Sequence, residues 1–384
     1  MNRPISGEPP KMIWNVIDSS THSFNRNILC GSNYDWMIDN KHIRLSDDRS
    51  LNSSEIFDNY RKAALVHRMV RQQSFTGLRG GAGIAELVDS IEHQINRLFP
   101  NKNGGLAFPV GVNINNCVAH DSKQPNDNRL LYSGDVVKLD IGVHVDGYVV
   151  DSANTVVVDD IDHSSPYNEL IDASRDATMS CIMSSGVDQS LLELSELVAE
   201  IIGSYEIELG RNIIPIVPVQ GIGGHLIERY SVHGGAKQKF ILSVPDLSVQ
   251  GDHRMEEGEV YAIETYASTG SGIPTQNASI DRTTHWMANH NNRNKQKNRN
   301  LVRRYHRTEL YRNCVDRKGL PFSNTWTGQL NRIKYNDYQL GLDSGELIAY
   351  PPLYDMANSR VAQVEHTIGI GENGVEIFSL GSDY

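Results

Sequence analysis

Residues Val136 to Asp151 read Val-Val-Lys-Leu-Asp-Ile-Gly-Val-His-Val-Asp-Gly-Tyr-Val-Val-Asp, a pattern that leaves this stretch few ways to fold. Two β-branched runs flank Asp146-Gly147, a dipeptide suited to the positive φ angles of a two-residue hairpin loop. With those two as the loop, Val145 pairs Tyr148 and Asp151 falls opposite Gly142. Asp140 lies two residues from Gly142 on the same strand, so both carboxylates project from one face as diagonal neighbours. Anions that close repel, and one must keep its proton unless cations lie between them. The patch is either an acid/base dyad or a metal cradle.

Two further carboxylates sit amid apolar residues that read as strands: Glu264 in Tyr261–Thr265 and Glu365 in Val361–Ile368. His225, after Gly224, adds a nitrogen donor. An ionised carboxylate buried without a partner loses several kcal/mol of solvation and normally neutralises, a penalty that a divalent cation removes. Carboxylates able to bridge, with one imidazole, suit a pair of Mn, Fe, Co or Zn ions, whereas a structural zinc would want thiolates. Singly, Asp151 also reads as a loop cap, Glu264 or Glu365 as an arginine's partner and His225 as a satisfied core histidine. Together the five point to a two-metal hydrolase.

Around these strands the chain alternates helices with hairpins. Ile56, Tyr60, Ala63, Ala64 and Met69 predict one face of a helix from Glu55, and Ile84, Leu87, Val88, Ile91, Ile95 and Leu98 that of a second. Ser165-Pro166 offers a third helix start, with proline at the first helical position, and Ser190-Leu191-Leu192-Glu193 a capping box opening a fourth. This is not the βαβ rhythm of a parallel sheet, and the class is α+β. Residues 1–54 show no period and read as an extension; residues 55–384 form the body.

Asn115-Asn116-Cys117-Val118-Ala119-His120, Lys138-Leu139-Asp140-Ile141-Gly142, Gly224-His225, His233-Gly234-Gly235, Met255-Glu256-Glu257-Gly258-Glu259, Ala262-Ile263-Glu264 and Val364-Glu365-His366-Thr367 occur in an order that resembles the methionine aminopeptidases. The stretch from Trp286 to Ile348, Tyr350-Pro351-Pro352-Leu353 and the final Asp383-Tyr384 resemble the type 2 branch, with 286–348 as its mostly helical insertion. The resemblance implies a pita-bread fold, a curved antiparallel sheet flanked by helices. It also implies that Asp140 chelates one divalent ion, His225 and Glu264 the other, and that Asp151 and Glu365 bridge them. His120 matches the catalytic histidine, Glu264 is a candidate proton shuttle, and His233 would hydrogen-bond the substrate. Phe108, Val232, His285 and Tyr350 match the methionine pocket. The implied activity is removal of the initiator methionine from nascent N-termini when the next residue is small, by a water activated between two metals.

Some positions depart from that family pattern. Position 223 is glycine where a polar amide is customary, Leu226 follows Gly224-His225 where a small polar residue is usual, and the segment 236–253 is longer than usual. Alternatives follow: a proline-specific relative of the same fold, or a catalytically silent paralogue that binds RNA or ribosomes. The basic run His290 to Arg304 reads as a solvated loop or as a ribosome contact.

The net charge of -11 excludes general nucleic-acid affinity through bulk charge, and DNA is not an expected partner. Four scattered cysteines without CxxC spacing fit a reducing compartment. The N-terminus lacks a signal peptide's apolar core and no run approaches the roughly 18 apolar residues of a membrane span, so a cytoplasmic monomer is expected.

Overall fold

The computed structural model describes residues 53–99, 103–234, 237–276, 280–289, 298–328, 334–372 and 374–381. Residues 1–52 of the N-terminal extension, and residues 290–297 of the basic run, lie outside them.

Two helices, α1 (Ser53–Phe75) and α2 (Ile84–Leu98), precede short strands β1 (Gly104–Leu106), β2 (Gly111–Ile114) and β3 (Cys117–Ala119). The hairpin of β4 (Val136–Val145) and β5 (Tyr148–Val157) follows. Its register is the one the sequence predicts: Val145 faces Tyr148 and Gly142 faces Asp151. Asp146 and Gly147 carry the positive φ angles, 49° and 87°, that this turn requires. On its other side β4 pairs antiparallel with β1 and β2.

Helices α3 (Asn168–Ser184) and α4 (Leu191–Gly203) open the second half. Its strands are β6 (Gly223–Ile227), β7 (Phe240–Leu242) with the single-turn helix α5 (Leu247–Gln250) after it, and β8 (Val260–Ser268). After β9 (His285–Ala288) come α6 (Arg299–Tyr305), α7 (Glu309–Asp316) and α8 (Tyr335–Ser344), then β10 (Leu347–Tyr350), β11 (Val361–Gly371) and β12 (Gly374–Ile377). An antiparallel sheet runs β7-β6-β8-β11-β12. Strand β9 pairs β10, and the chain between them closes over its own small core of Trp286, Tyr305, Leu310, Phe322 and Leu347.

Each half is thus two helices laid on an antiparallel sheet. Val88, Ile91 and Ile95 of α2 meet Leu139, Ile141 and Val143 of β4, and Leu170, Ile182, Leu194 and Val198 of α3 and α4 meet Ile263 and Ile368. Each such side chain contributes roughly 1.5–3 kcal/mol when fully buried. All six apolar positions expected of α2 are buried.

Three expectations need correction. In α1, Tyr60, Ala63 and Ala64 are buried, but Ile56 and Met69 are only half-buried, and Phe57, Val66 and Val70 go in. The buried stripe of α1 also runs through His67 and Arg71, whose polar ends reach Ile141 O and Ser379 O, and such residues are invisible to an apolar pattern. Helix α3 starts at Asn168 rather than after Ser165, because Ser165 and Asn168 close a turn (Asn168 N to Ser165 O, 3.1 Å) ahead of it. At α4 the Ser190 hydroxyl accepts from the Glu193 amide as expected, but the Glu193 carboxylate accepts from Gln189 instead of completing the box. No helix among the described residues is long and apolar enough to cross a membrane.

Candidate metal centre

The two halves join where β5 lies beside β11, through side chains that substitute for a backbone ladder. The Asp151 amide donates to Thr367 Oγ1 (2.7 Å), and that hydroxyl donates to Asp151 O (2.6 Å). Ser152 Oγ donates to Glu365 O (2.9 Å), while Thr155 Oγ1 donates to Gln363 O (2.7 Å) and accepts from the Gln363 amide (2.8 Å). These side-chain-to-backbone bonds fix the depth at which Asp151 faces Glu365.

Register does the rest. Glu264 on β8 is the direct cross-strand partner of Glu365 on β11, and His225 pairs Ala262, two residues from Glu264. Like charges directly opposite on neighbouring strands are destabilising. Asp151, His225 and Glu365 each present a donor atom within 4.8 Å of the others. His225 Nε2 lies 3.7 Å from Glu264 Oε1 and 3.9 Å from Asp151 Oδ2. Asp140 joins through Gln363, whose Nε2 lies 3.4 Å from Asp140 Oδ2, 3.1 Å from Glu264 Oε2 and 3.5 Å from Glu365 Oε2. Gln363 was not anticipated from the sequence, although its place two residues before Glu365, on the same face of a strand, was a usable signal.

The electrostatics are those of an anion cluster held out of water. Burial pushes the Asp140 carboxyl up to about 7 and the Glu264 carboxyl up to about 8. Burial first, and then the charge of their carboxylate neighbours, drives Asp151 and Glu365 well above the usual range. Asp140 Oδ1 and Asp151 Oδ1 are buried without any hydrogen-bond partner. Buried polar atoms are normally paired, so orphaned carboxylate oxygens facing one another fit divalent cations. The donor set of four carboxylates and one imidazole fits the same class of ion.

These groups lie in a cavity of about 930 Å³ that also takes in His120, His233, Phe108, Val232, His285 and Tyr350, so every site residue expected from the sequence lines one space. His120, just past β3, has φ 67°, a left-handed conformation uncommon outside glycine, and such residues cluster at functional sites. Its ring lies 5.4 Å from Tyr350 and 5.8 Å from His285, and His233 lies 4.7 Å from His225 and 5.8 Å from Tyr350, centroid to centroid. Burial, followed by the neighbouring imidazoles, pushes His120 down to about 3, and burial alone takes His233 to about 4. Both rings are neutral at pH 7. His285 is fixed at both nitrogens, Nε2 3.2 Å from Pro109 O and Nδ1 2.9 Å from Thr284 Oγ1.

Two of the departures from pattern, Gly223 and the segment 236–253, meet at one edge of the site. A Cβ on Gly223 would come within 2.4 Å of Ile241 O and 2.7 Å of Leu242 Cα, so the glycine at 223 and the close approach of β7 are one feature. Leu226, where a small polar residue was expected, is buried in the core beneath α3 and α4.

Comparison with known proteins agrees with this arrangement. The family model of metallopeptidase family M24 matches residues 58–288. Methionine aminopeptidase 2 of Paracoccidioides brasiliensis (strain Pb18) is 35% identical over 346 residues, covering 86% of this chain and 73% of that protein. Among solved structures, a thermophilic Arx1 superposes with a TM-score of 0.66 at 18% identity, over 85% of this chain and 91% of that one. The methionine aminopeptidase of Rickettsia prowazekii gives 0.56 at 19%, over 86% and 99%. At such identities the structural likeness shows the pita-bread fold.

Proposed function

The chain belongs to metallopeptidase family M24, as a metalloaminopeptidase of the methionine aminopeptidase 2 group, and from that premise we propose that it removes initiator methionine from polypeptide N-termini when the second residue is small. The observation that carries this reading is the facing set of Asp140, Asp151, His225, Glu264 and Glu365 with two orphaned oxygens, on the wall of a cavity that also holds neutral imidazoles.

Asp140 would hold one ion, His225 and Glu264 the other, with Asp151 and Glu365 between them. When bound, the ions supply Lewis-acid activation of water for attack on the first peptide carbonyl. Glu264 is the candidate to carry the proton towards the departing amine. His120 and His233, uncharged, offer a ring N–H or lone pair to the peptide group without competing with the ions for carboxylates. Phe108, Val232, His285 and Tyr350 supply a pocket in which a flexible, polarisable thioether finds aromatic edges. The preference for a small second residue rests in this reading on the resemblance to the methionine aminopeptidases.

Methionine release from Met-Gly-Met-Met and Met-Leu-Met-Met, by protein stripped of metal and then given Mn, Co, Zn or Fe(II), tests the proposal. Metal-dependent cleavage of the glycine peptide alone supports it; no cleavage with any metal sinks it. The cytosol is the proposed compartment, since Cys117, Cys181 and Cys314 are all unpaired and buried. A ribosome contact is a second proposal, resting on Arg299, Arg303, Arg304 and Arg307, all exposed on and after α6 in a chain of net charge -11. Salt-sensitive cosedimentation with ribosomes checks it.

A further inference from the structure

Three segments meet at the outer end of the cavity and are tied edge to edge. The Gln220 amide donates to Gly272 O (2.7 Å) and the Ser243 amide donates to Ile222 O (3.0 Å). The resulting rim presents Ile222, Val244, Pro245, Val249, Ile273 and Pro274 to the cavity. Exposure rises steeply along the way, from 1% at Glu365 and 4% at His225 to 45% at Val249 and 61% at Ile273. The cavity therefore opens to water along a largely apolar rim, interrupted by Gln220 and the exposed Asp246, where leaving two branched side chains exposed has a solvation cost.

The rim is rigidly built. Gln250, fully buried at the end of α5, places Nε2 3.0 Å from Leu191 O, 2.6 Å from Ser195 Oγ and 3.2 Å from Phe240 O, while its Oε1 accepts from the Asp246 amide (2.9 Å). These bonds clamp α5 onto α4 and leave Val249 facing the opening. The cavity, about 930 Å³, is at the upper end of the roughly 300–1,000 Å³ typical of ligand sites, and so has room beyond one methionine.

Resting on the aminopeptidase reading above, we propose that this rim binds the third and fourth residues of the substrate peptide and selects apolar side chains there. A polypeptide whose first residue sits among His120, His285 and Tyr350 has its next bond at the carboxylates. The sheet closes the floor, so the remaining chain leaves past the rim. The rim is continuous with the catalytic cavity; Val244, Pro245 and Val249 of its wall belong to the segment 236–253, and Ile222, Ile273 and Pro274 to the two segments tied to it.

The test is steady-state cleavage of Met-Gly-Leu-Leu, Met-Gly-Ser-Ser and Met-Gly-Asp-Asp by the full-length, Mn(II)-loaded protein and by Val249→Ser and Ile273→Ser variants. Both positions are exposed, so folding is preserved. The expected result is a KM for the leucine peptide roughly tenfold below that for the aspartate peptide at similar kcat, compressed to about twofold in the variants. Methionine release with one KM for all three peptides overturns the rim and leaves the aminopeptidase reading intact. Release from none of them overturns both. A concentration-dependent dimer in sedimentation that either variant dissolves also overturns the proposal, by assigning the rim to a second copy of the chain.

Discussion

Thr367 and Asp151 hold each other twice: the Asp151 amide donates to the Thr367 hydroxyl, and that hydroxyl donates back to the Asp151 carbonyl. One side chain thereby fixes the strand that bears Asp151, in the first half, against the second. Replacing Thr367 with valine keeps the shape and removes both bonds, leaving a buried N–H and C=O unpaired. A loss of about 1–3 kcal/mol in urea unfolding is expected. Because groups behind metal ligands orient them, calorimetric titration of Mn(II) is expected to show affinity lower by roughly 10–100-fold.

Glu365 faces Glu264 across the β8–β11 ladder. Exchanging Glu365 for glutamine is expected to abolish metal loading and turnover, while stabilising the metal-free protein by about 1–3 kcal/mol through relief of a buried like-charge pair. Thermal melts with and without chelator check this crossing: wild type drops on chelation and the variant does not move. A variant less stable than wild type in both states would contradict the cation reading of the cluster.

How much of this was legible in the sequence differs from element to element. The β4–β5 register was, because Asp146-Gly147 and the β-branched alternation are local signals. The join of β5 to β11 was not. It rests on Ser152, Thr155 and Thr367 bonding to backbone far away in sequence, and hydroxyl residues within a strand carry no mark of their partner. Gln363 escaped notice for the same reason: it is polar on a strand face already credited to Glu365. Likewise the buried His67 and Arg71 of α1 shifted the true inward face from the one its apolar residues suggested.

His120→Ala should leave metal stoichiometry unchanged, since no carboxylate of the cluster depends on its ring, and should lower kcat by roughly 10²–10⁴-fold. Inductively coupled plasma analysis of the loaded variant beside its methionine-release rate separates the two effects. Loss of metal together with rate would move His120 from substrate handling to metal binding.

At Gly142 an added Cβ would lie 2.1 Å from the Phe108 ring. Gly142→Ala must displace that ring, which lines the cavity and is the proposed methionine contact, at an overpacking cost of about 1–3 kcal/mol. KM for methionine peptides is expected to rise by roughly tenfold with a smaller change in kcat. An unchanged KM would remove Phe108 from the pocket.

Asp355 anchors the turn beside the rim. Burial raises its carboxyl, but hydrogen bonds from the Ser268 and Ser271 hydroxyls and from the Met356 and Gly272 amides outweigh that and hold it below the ordinary value. The folded form thus binds this proton less tightly than the unfolded chain. Its contribution is complete above the unfolded pKa of about 3.9 and disappears as pH falls through the lower folded value. Asp355→Asn should therefore be less stable than wild type at neutral pH, with the gap narrowing below about pH 4 in acid-denaturation curves.

Asp140 and Gln363 touch across 223 residues of chain, and the cluster draws on β4, β5, β6, β8 and β11. The early hairpin forms from local contacts, yet Glu365 arrives only when β11 has docked. During synthesis Asp140, Asp151, His225 and Glu264 therefore all precede Glu365, and the five-residue set is complete only once β11 has emerged and folded.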